Sequence, residues 1–250
     1  MSVRVECPSG LTVVLRRFRV RDKNLLANKK VHRQGATTAL LKAITESVED
    51  PGPYAQNESG LVDWDSVIQG DRTVALVKNR IATWGDTMTA QRQCKNNRCG
   101  ESVKMEYALS DLAVRPLPET SRPHVQDPSR PLQCKLPSGV VVSFKLTRGK
   151  DEKAMRKLKK QRSDDLATAF LQYRIVEVAG VNPSDLRSFL SDLDGRDDTA
   201  LQEAFDEADC GIDTKVVFEC EECGYEWNED VELTEDFLFP SSTGKTSTTR

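Results

Sequence analysis

Apolar and polar residues alternate between residues 9 and 20, which predicts a half-buried strand. A helical recurrence follows over 22–48, with Leu25, Leu26, Leu40, Leu41, Ile44 and Val48 as core candidates, and Asp50-Pro51-Gly52-Pro53 breaks it. A short element over 64–68 precedes a helix over 71–84. That helix carries Val74, Val77 and Ile81 on one face and Asp71 near its N-terminus, where the helix dipole favours a carboxylate. Strands over 87–93 and 103–109 enter and leave a loop containing Cys94 and Cys99. Pro116, Pro118, Pro123, Pro128 and Pro131 then crowd a stretch with few apolar residues, which predicts a linker rather than a buried element. Beyond it come a strand over 140–147, helices over 150–158 and 163–178 (Ser163 or Asp164 as cap), one starting at Asn182-Pro183-Ser184 and one over 199–209. Strands over 215–219 and 227–233 flank Cys220 and Cys223, and the Ser/Thr/Gly-rich residues 241–250 predict disorder.

The second series of elements restates the first. Pro8-Ser9-Gly10 before a β-rich run matches Pro137-Ser138-Gly139 at a spacing of 129, and Arg21-Asp22 matches Lys150-Asp151 at the same spacing. Gly70-Asp71-Arg72 corresponds to Gly195-Arg196-Asp197 at 125, Gly85 to Gly211 at 126, Cys94 to Cys220 at 126, and Cys99-Gly100 to Cys223-Gly224 at 124. Ordered landmarks that drift by only a few residues indicate duplication. The expected fold class is therefore α+β: two tandem repeats, each an N-terminal strand, several helices and a C-terminal zinc-ribbon-like β-hairpin. The expected boundaries are 1–114, a linker at 115–131, 132–240 and a tail at 241–250.

Composition narrows the function. With 250 residues, 38% hydrophobic and 30% charged, the chain suits small cores and much solvated or partner-facing surface. A formal net charge of −3 does not recruit nucleic acid in bulk. No apolar signal core or membrane-length window is present, so a soluble, intracellular chain is expected. Seven cysteines in a reducing compartment, two pairs of them in Gly-flanked loops, favour thiolate ligands over disulfides. Cys94, Cys99, Cys220 and Cys223 together offer the four sulfurs that a structural zinc prefers. Two other readings stand beside this one. A redox pair is disfavoured because the cysteines lie between strands, with Glu221 and Glu222 expected to raise the thiol pKa; reduced thiols in a metal-free hairpin are the other alternative. Cys7, Cys134 and Cys210 read as small core or strand residues, with Cys7 and Cys134 near the start of each repeat.

Catalytic constellations are missing from the sequence. There are two histidines, His32 and His124, the latter placed in the linker with nothing rigid to orient it. No phosphate loop, nucleophile elbow, His-Glu-x-x-His or deaminase pattern occurs, so an enzyme is not expected. The basic run 145–162 offers Arg148, Lys150, Lys153, Arg156, Lys157, Lys159 and Lys160 as possible partner or phosphate contacts. The acidic stretch 192–236 is a candidate counterpart, and no aromatic residue interleaves the basic run. A zinc-ribbon nucleic-acid-binding regulator using this run is the alternative function.

Leu136-Pro137-Ser138-Gly139, Gly149-Lys150-Asp151-Glu152, Gly195-Arg196-Asp197, Cys220-Glu221-Glu222-Cys223-Gly224 and the closing run 233–240 follow one another in a recognisable order. With Pro8-Ser9-Gly10, Gly70-Asp71-Arg72, Trp84-Gly85-Asp86 and Asp111-Leu112, the chain over about residues 5–240 resembles the baseplate hub assembly proteins of T-even-type contractile phages and related phage-derived injection systems. The four-residue gap between Cys94 and Cys99 departs from the two-residue gap usual in that family. The resemblance implies a non-enzymatic tail protein acting beside hub and tape-measure proteins. It would assemble in the host cytoplasm, either as a transient chaperone or as a retained subunit of the particle.

Overall fold

Strands β1 (Ser2–Glu6) and β2 (Thr12–Arg16) form an antiparallel hairpin in which Val3 faces Leu15 and Val5 faces Val13; β3 (Thr45–Asp50) pairs on the other edge of β2. The structure, a computed structural model, describes residues 1–28, 35–152, 154–155, 166–231 and 235–240. A second three-stranded sheet repeats the arrangement with β7 (Leu132–Lys135), β8 (Val141–Phe144) and β9 (Ile175–Val178). There Leu132 faces Phe144 and Cys134 faces Val142, each 129 residues beyond its first-sheet counterpart. The register of β2 on β3 shifts between Val14 and Leu15, and that of β8 on β9 between Ser143 and Phe144, again 129 apart. On this register Cys134 corresponds to Val5 and Cys7 to Leu136, so the two cysteines are not equivalent.

Helices α1 (Val20–Ala27) and α2 (Ala36–Ile44) connect β2 to β3, and α3 (Gln69–Trp84) follows. The helix expected to run on through Val48 stops at Ile44, and the helix expected to reach Val178 is α5 (Leu166–Arg174). In both cases the next residues are a strand, because pairing with β2 or β8 satisfies their backbone groups. The long hairpin of β4 (Thr87–Gln93) and β5 (Ser102–Ala108) carries the first cysteine pair. The short strands β6 (Val114–Arg115) and β10 (Gly211–Ile212) pair across the two halves. Helices α6 (Leu186–Ser191) and α7 (Gly195–Ala208) then lead to the hairpin of β11 (Lys215–Glu219) and β12 (Glu226–Asp230) and to α8 (Glu235–Leu238). Residues 151, 152, 154 and 155 are helical, whereas the rest of the helix expected over 150–158, the caps Ser163 and Asp164, and the tail 241–250 lie outside the described residues. Among the described residues no helix is long and apolar enough to cross a membrane.

One apolar core runs through both halves, joining Leu11, Leu15, Leu41 and Trp64 to Phe144 and Leu201. Backbone hydrogen bonds cross the same junction, from Gln69 N–H to the Thr147 carbonyl (2.8 Å) and from Gly149 N–H to the Val67 carbonyl (3.0 Å). Arg72, fully buried, donates to Thr38 Oγ1 and the Trp64 carbonyl at 2.9 Å and to Glu152 at 2.8 Å. Gly149 has to be glycine, because a Cβ there would collide with the Arg72 guanidinium and the Trp64 carbonyl.

The proline-rich stretch 115–131 differs from the unburied linker expected. It forms α4 (Arg122–Gln126) and buries Leu117, Ser121, His124 and Val125. His124 is firmly oriented: its Nδ1 lies 2.7 Å from the Arg130 carbonyl, and Nε2 accepts from Leu146 N–H at 3.2 Å. A proline at the start of a short helix loses no hydrogen bond, so proline density did not prevent packing.

Candidate metal centre

The two cysteine hairpins pack together and enclose a small second core of Val103, Phe218 and Trp227 with Cys94 and Cys220. Phe218 and Trp227 stack at 5.4 Å between ring centroids, fixing β11 against β12 directly below the loop. Each loop is tied by the same backbone bonds. Cys94 N–H donates to the Glu101 carbonyl (2.7 Å) and Cys220 N–H to the Tyr225 carbonyl (3.0 Å); Gly100 N–H reaches the Asn96 carbonyl (3.2 Å) and Gly224 N–H the Cys220 carbonyl (2.7 Å). Gly100 and Gly224 adopt φ of 67° and 66°, the left-handed turn that closes each loop and that side chains rarely tolerate.

All four sulfurs, those of Cys94, Cys99, Cys220 and Cys223, lie within 4.8 Å of one another. The shortest approaches run between hairpins: Cys94 to Cys223 at 3.6 Å and Cys99 to Cys220 at 3.8 Å. These are far beyond a disulfide bond, and every cysteine is a free thiol. They fit the edge of a tetrahedron instead: metal–sulfur bonds of about 2.3 Å put sulfurs about 3.8 Å apart. The longer Cys94–Cys99 loop therefore does not disrupt the cluster, since the extra residues are absorbed in the turn at Asn96. The four thiols can hold a metal ion, with one pair from each half of the sequence.

Thiol acidity within the cluster is unequal. The Tyr225 backbone amide, working against desolvation, and then the neighbouring thiols lower Cys223 to about 7. At Cys99 the Glu101 amide pulls down, but desolvation and the adjacent thiols prevail and push it up to about 12; desolvation also raises Cys94. The expectation that nearby glutamates would raise the second pair is thus not met at Cys223, where backbone donors and thiols dominate. Asn96 Nδ2 donates to Cys223 Sγ at 3.7 Å, and Lys95 pairs with Glu229 at 3.0 Å, so further contacts bridge the hairpins around the sulfurs.

The basic run fares differently. Arg148 is buried, its guanidinium spent on the carbonyls of Ser66 (2.6 Å), Val125 (2.9 Å) and His124 (3.1 Å), so it is not a phosphate contact. Lys150 is exposed, while Lys153, Arg156, Lys157, Lys159 and Lys160 lie outside the described residues. Sequence reasoning missed Tyr54, which donates to Asp71 Oδ2 at 2.6 Å, and it aligned Asp71 with Arg196 where the hydrogen bonds favour Asp197. Asp71 and Asp197, 126 residues apart, accept from the Ser9 and Ser138 amides respectively, so the two make the same contact. That spacing equals the one between Gly85 and Gly211 and between Cys94 and Cys220, and this agreement was the signal available.

No curated protein and no solved structure matches the chain. A family model does: that of the T4 bacteriophage base plate protein covers residues 1–238, and by that match the chain belongs to this family of phage baseplate proteins.

Proposed function

We propose that this baseplate protein is a non-enzymatic hub assembly or structural component, built from two repeats that one zinc ion clamps through Cys94, Cys99, Cys220 and Cys223. The observation that carries the reading is the convergence of two thiols from each of two sequence-distant hairpins into one tetrahedral-sized cluster. Four sulfurs suffice to fill a tetrahedral shell, the arrangement of a structural rather than a catalytic site, so the ion would serve to hold the hairpins together. Duplication is supported by the shared sheet register. It is supported further by Arg19 N–H on Asp22 Oδ2 (2.7 Å) and Arg148 N–H on Asp151 Oδ2 (2.8 Å), the same contact 129 residues apart. Hub and tape-measure proteins are the partners this role requires, met in the host cytoplasm as tails assemble.

Native mass spectrometry of chain purified without chelator tests the clamp, with one zinc per chain expected and none in a variant lacking the four thiols. Cys223→Ser should loosen both hairpins in limited proteolysis; loosening of the second alone would mean the halves do not share an ion. The assembly role is tested by supplying wild-type or Cys223→Ser chain to cells infected with a phage that lacks it. Complete baseplates counted by electron microscopy should fall with the variant. Normal tail yield without the chain would remove the assembly role, whatever the metal content.

A further inference from the structure

The two turns that open β2 and β8 end in unlike surroundings. In the first half Ser9 is buried, and its N–H and Oγ both donate to Asp71 while Tyr54 donates from the other side. The segment after β3 presses on this turn so closely that a Cβ on Gly52 would lie 2.8 Å from Leu11 N. In the second half Ser138 is exposed, and the Asp197 carboxylate receives the Ser138 amide at 3.0 Å, with no counterpart of Tyr54 among the described residues. Beside this second turn lies an open groove of about 600 Å³ that Ser138, Val140 and Asp197 help to line.

Its floor is apolar. Val140, Val181, Phe189 and Leu193 are half-buried, each packed on the main core from below and open to the groove above. Its rim is anionic: Asp185, Asp192 and Asp194 are exposed, Asp197 closes the base, and among the described residues neither lysine nor arginine lines it. We infer that this groove docks a basic segment of another baseplate chain. An aromatic hydroxyl side chain of that segment would take the position over Asp197 that Tyr54 takes over Asp71, with lysine or arginine against the three rim aspartates. Charge complementarity selects the sign of the partner, and the occupied first-half turn supplies the form of its anchor. The inference does not depend on the metal clamp, which lies on the two cysteine hairpins.

Fluorescence anisotropy of a labelled lysine-tyrosine-lysine-leucine-lysine peptide, titrated with the full chain at low salt, tests it. The control peptide carries glutamate at each lysine. The variant D185N/D192N/D194N/D197N removes the charge but keeps an acceptor for the Arg196 amide at Asp194 and for the Ser138 amide at Asp197, so the fold is retained and thermal melts verify this. Saturable binding by wild type, weakened roughly ten-fold in the asparagine variant, is expected from the loss of several partly exposed charge pairs. Phe189→Ser should weaken it separately by removing the floor. Equal binding of the glutamate peptide, or undiminished binding by the asparagine variant, overturns the proposal. So does a wild-type dimer that the asparagine variant dissociates in sedimentation, which would make the occupant a second copy, or displacement of the peptide by calcium. A chain that proves to hold no zinc yet binds the peptide would leave the groove standing while the clamp fails, and a zinc-bearing chain that does not bind it would separate them the other way.

Discussion

Two hairpins in this chain share a register to the residue yet differ in what covers them. β1–β2 and β7–β8 pair identically over four residue pairs and shift register against their third strands at the same place. Leu11 and Ser9 are nonetheless buried in the first, while Val140 is half-buried and Ser138 exposed in the second. The difference originates downstream. Residues 51–68 fold back over the first turn and bring Tyr54 to Asp71, whereas the shorter stretch before α7 forms α6 and leaves the second turn open. Strand alternation and the turn fix the register locally, but the burial of a turn depends on a later loop that can diverge without disturbing the sheet. One half thereby keeps a self-satisfied core and the other keeps an unfilled surface.

The loop that seals the first turn also carries the joint between halves, and breaking that joint is the largest effect expected. Arg72→Ala removes a fully buried guanidinium that ties Thr38 and the Trp64 carbonyl to Glu152. Removal of one partner of a buried ion pair typically costs about 3–5 kcal/mol. Urea unfolding should show that loss in one transition, with hydrogen exchange accelerating in both sheets together. Acceleration in the first sheet alone would mean that the halves are separable units and that the shared core is weak.

Sequence alone made the hairpins, the helix α3 and the four thiols legible, because alternation, 3.6-residue recurrence and Gly-flanked cysteines are local patterns. It did not reveal β3 and β9, which follow helices without a glycine or proline between them; Ile175, Val176 and Val178 were the one hint, being β-branched. The burial of Arg148 was equally invisible. A basic run reads as a solvated face unless the carbonyls of Ser66, His124 and Val125 are already known to converge on one of its members. The groove belongs to the same class, since its floor comes from the turn before β8, the stretch after β9, α6 and the entry to α7.

Equivalent aspartates sharpen the comparison at intermediate size. Asp71→Ala strands the Ser9 amide and hydroxyl and the Tyr54 hydroxyl, buried donors that cost about 1–3 kcal/mol each when left unpaired, although water entry will recover part. Asp197→Ala strands the Ser138 amide, which sits at an exposed turn, so a loss of about 1 kcal/mol or less is expected. Chemical denaturation of the two variants side by side checks this. Similar losses would show that the second turn is covered in solution, by a partner copy or by other parts of the chain, and the groove proposal would weaken accordingly.

The smallest effect separates the halves by pH. The amide beyond β8, that of Leu146, donates to His124 Nε2, whereas its first-half counterpart Arg17 donates to the Met1 carbonyl, so of these two bonds the second ends on a group that titrates near neutrality and the first does not. Accepting at Nε2 requires a neutral ring with its proton on Nδ1, directed at the Arg130 carbonyl. Desolvation holds the pKa below its ordinary value; the Arg130 carbonyl and Asp127 oppose this, while the charges of Arg148 and Lys145 add to it. The unfolded chain, with an ordinary histidine pKa of about 6.5, therefore takes up the proton first as pH falls. The stabilisation is complete above about 6.5 and is lost as pH drops through the lower folded value. His124→Gln keeps an acceptor for Leu146 but cannot titrate, so its melting temperature should decline less than that of wild type on acidification below neutrality. Hydrogen exchange in mild acid should quicken first at β8 in wild type while β2 stays protected, since the carboxylate that holds Arg16 of β2, Asp22, lies below the ordinary aspartate range and keeps its charge there. Identical slopes for variant and wild type would mean that the ring is not held neutral, and the asymmetry between the sheets would then be confined to their turns.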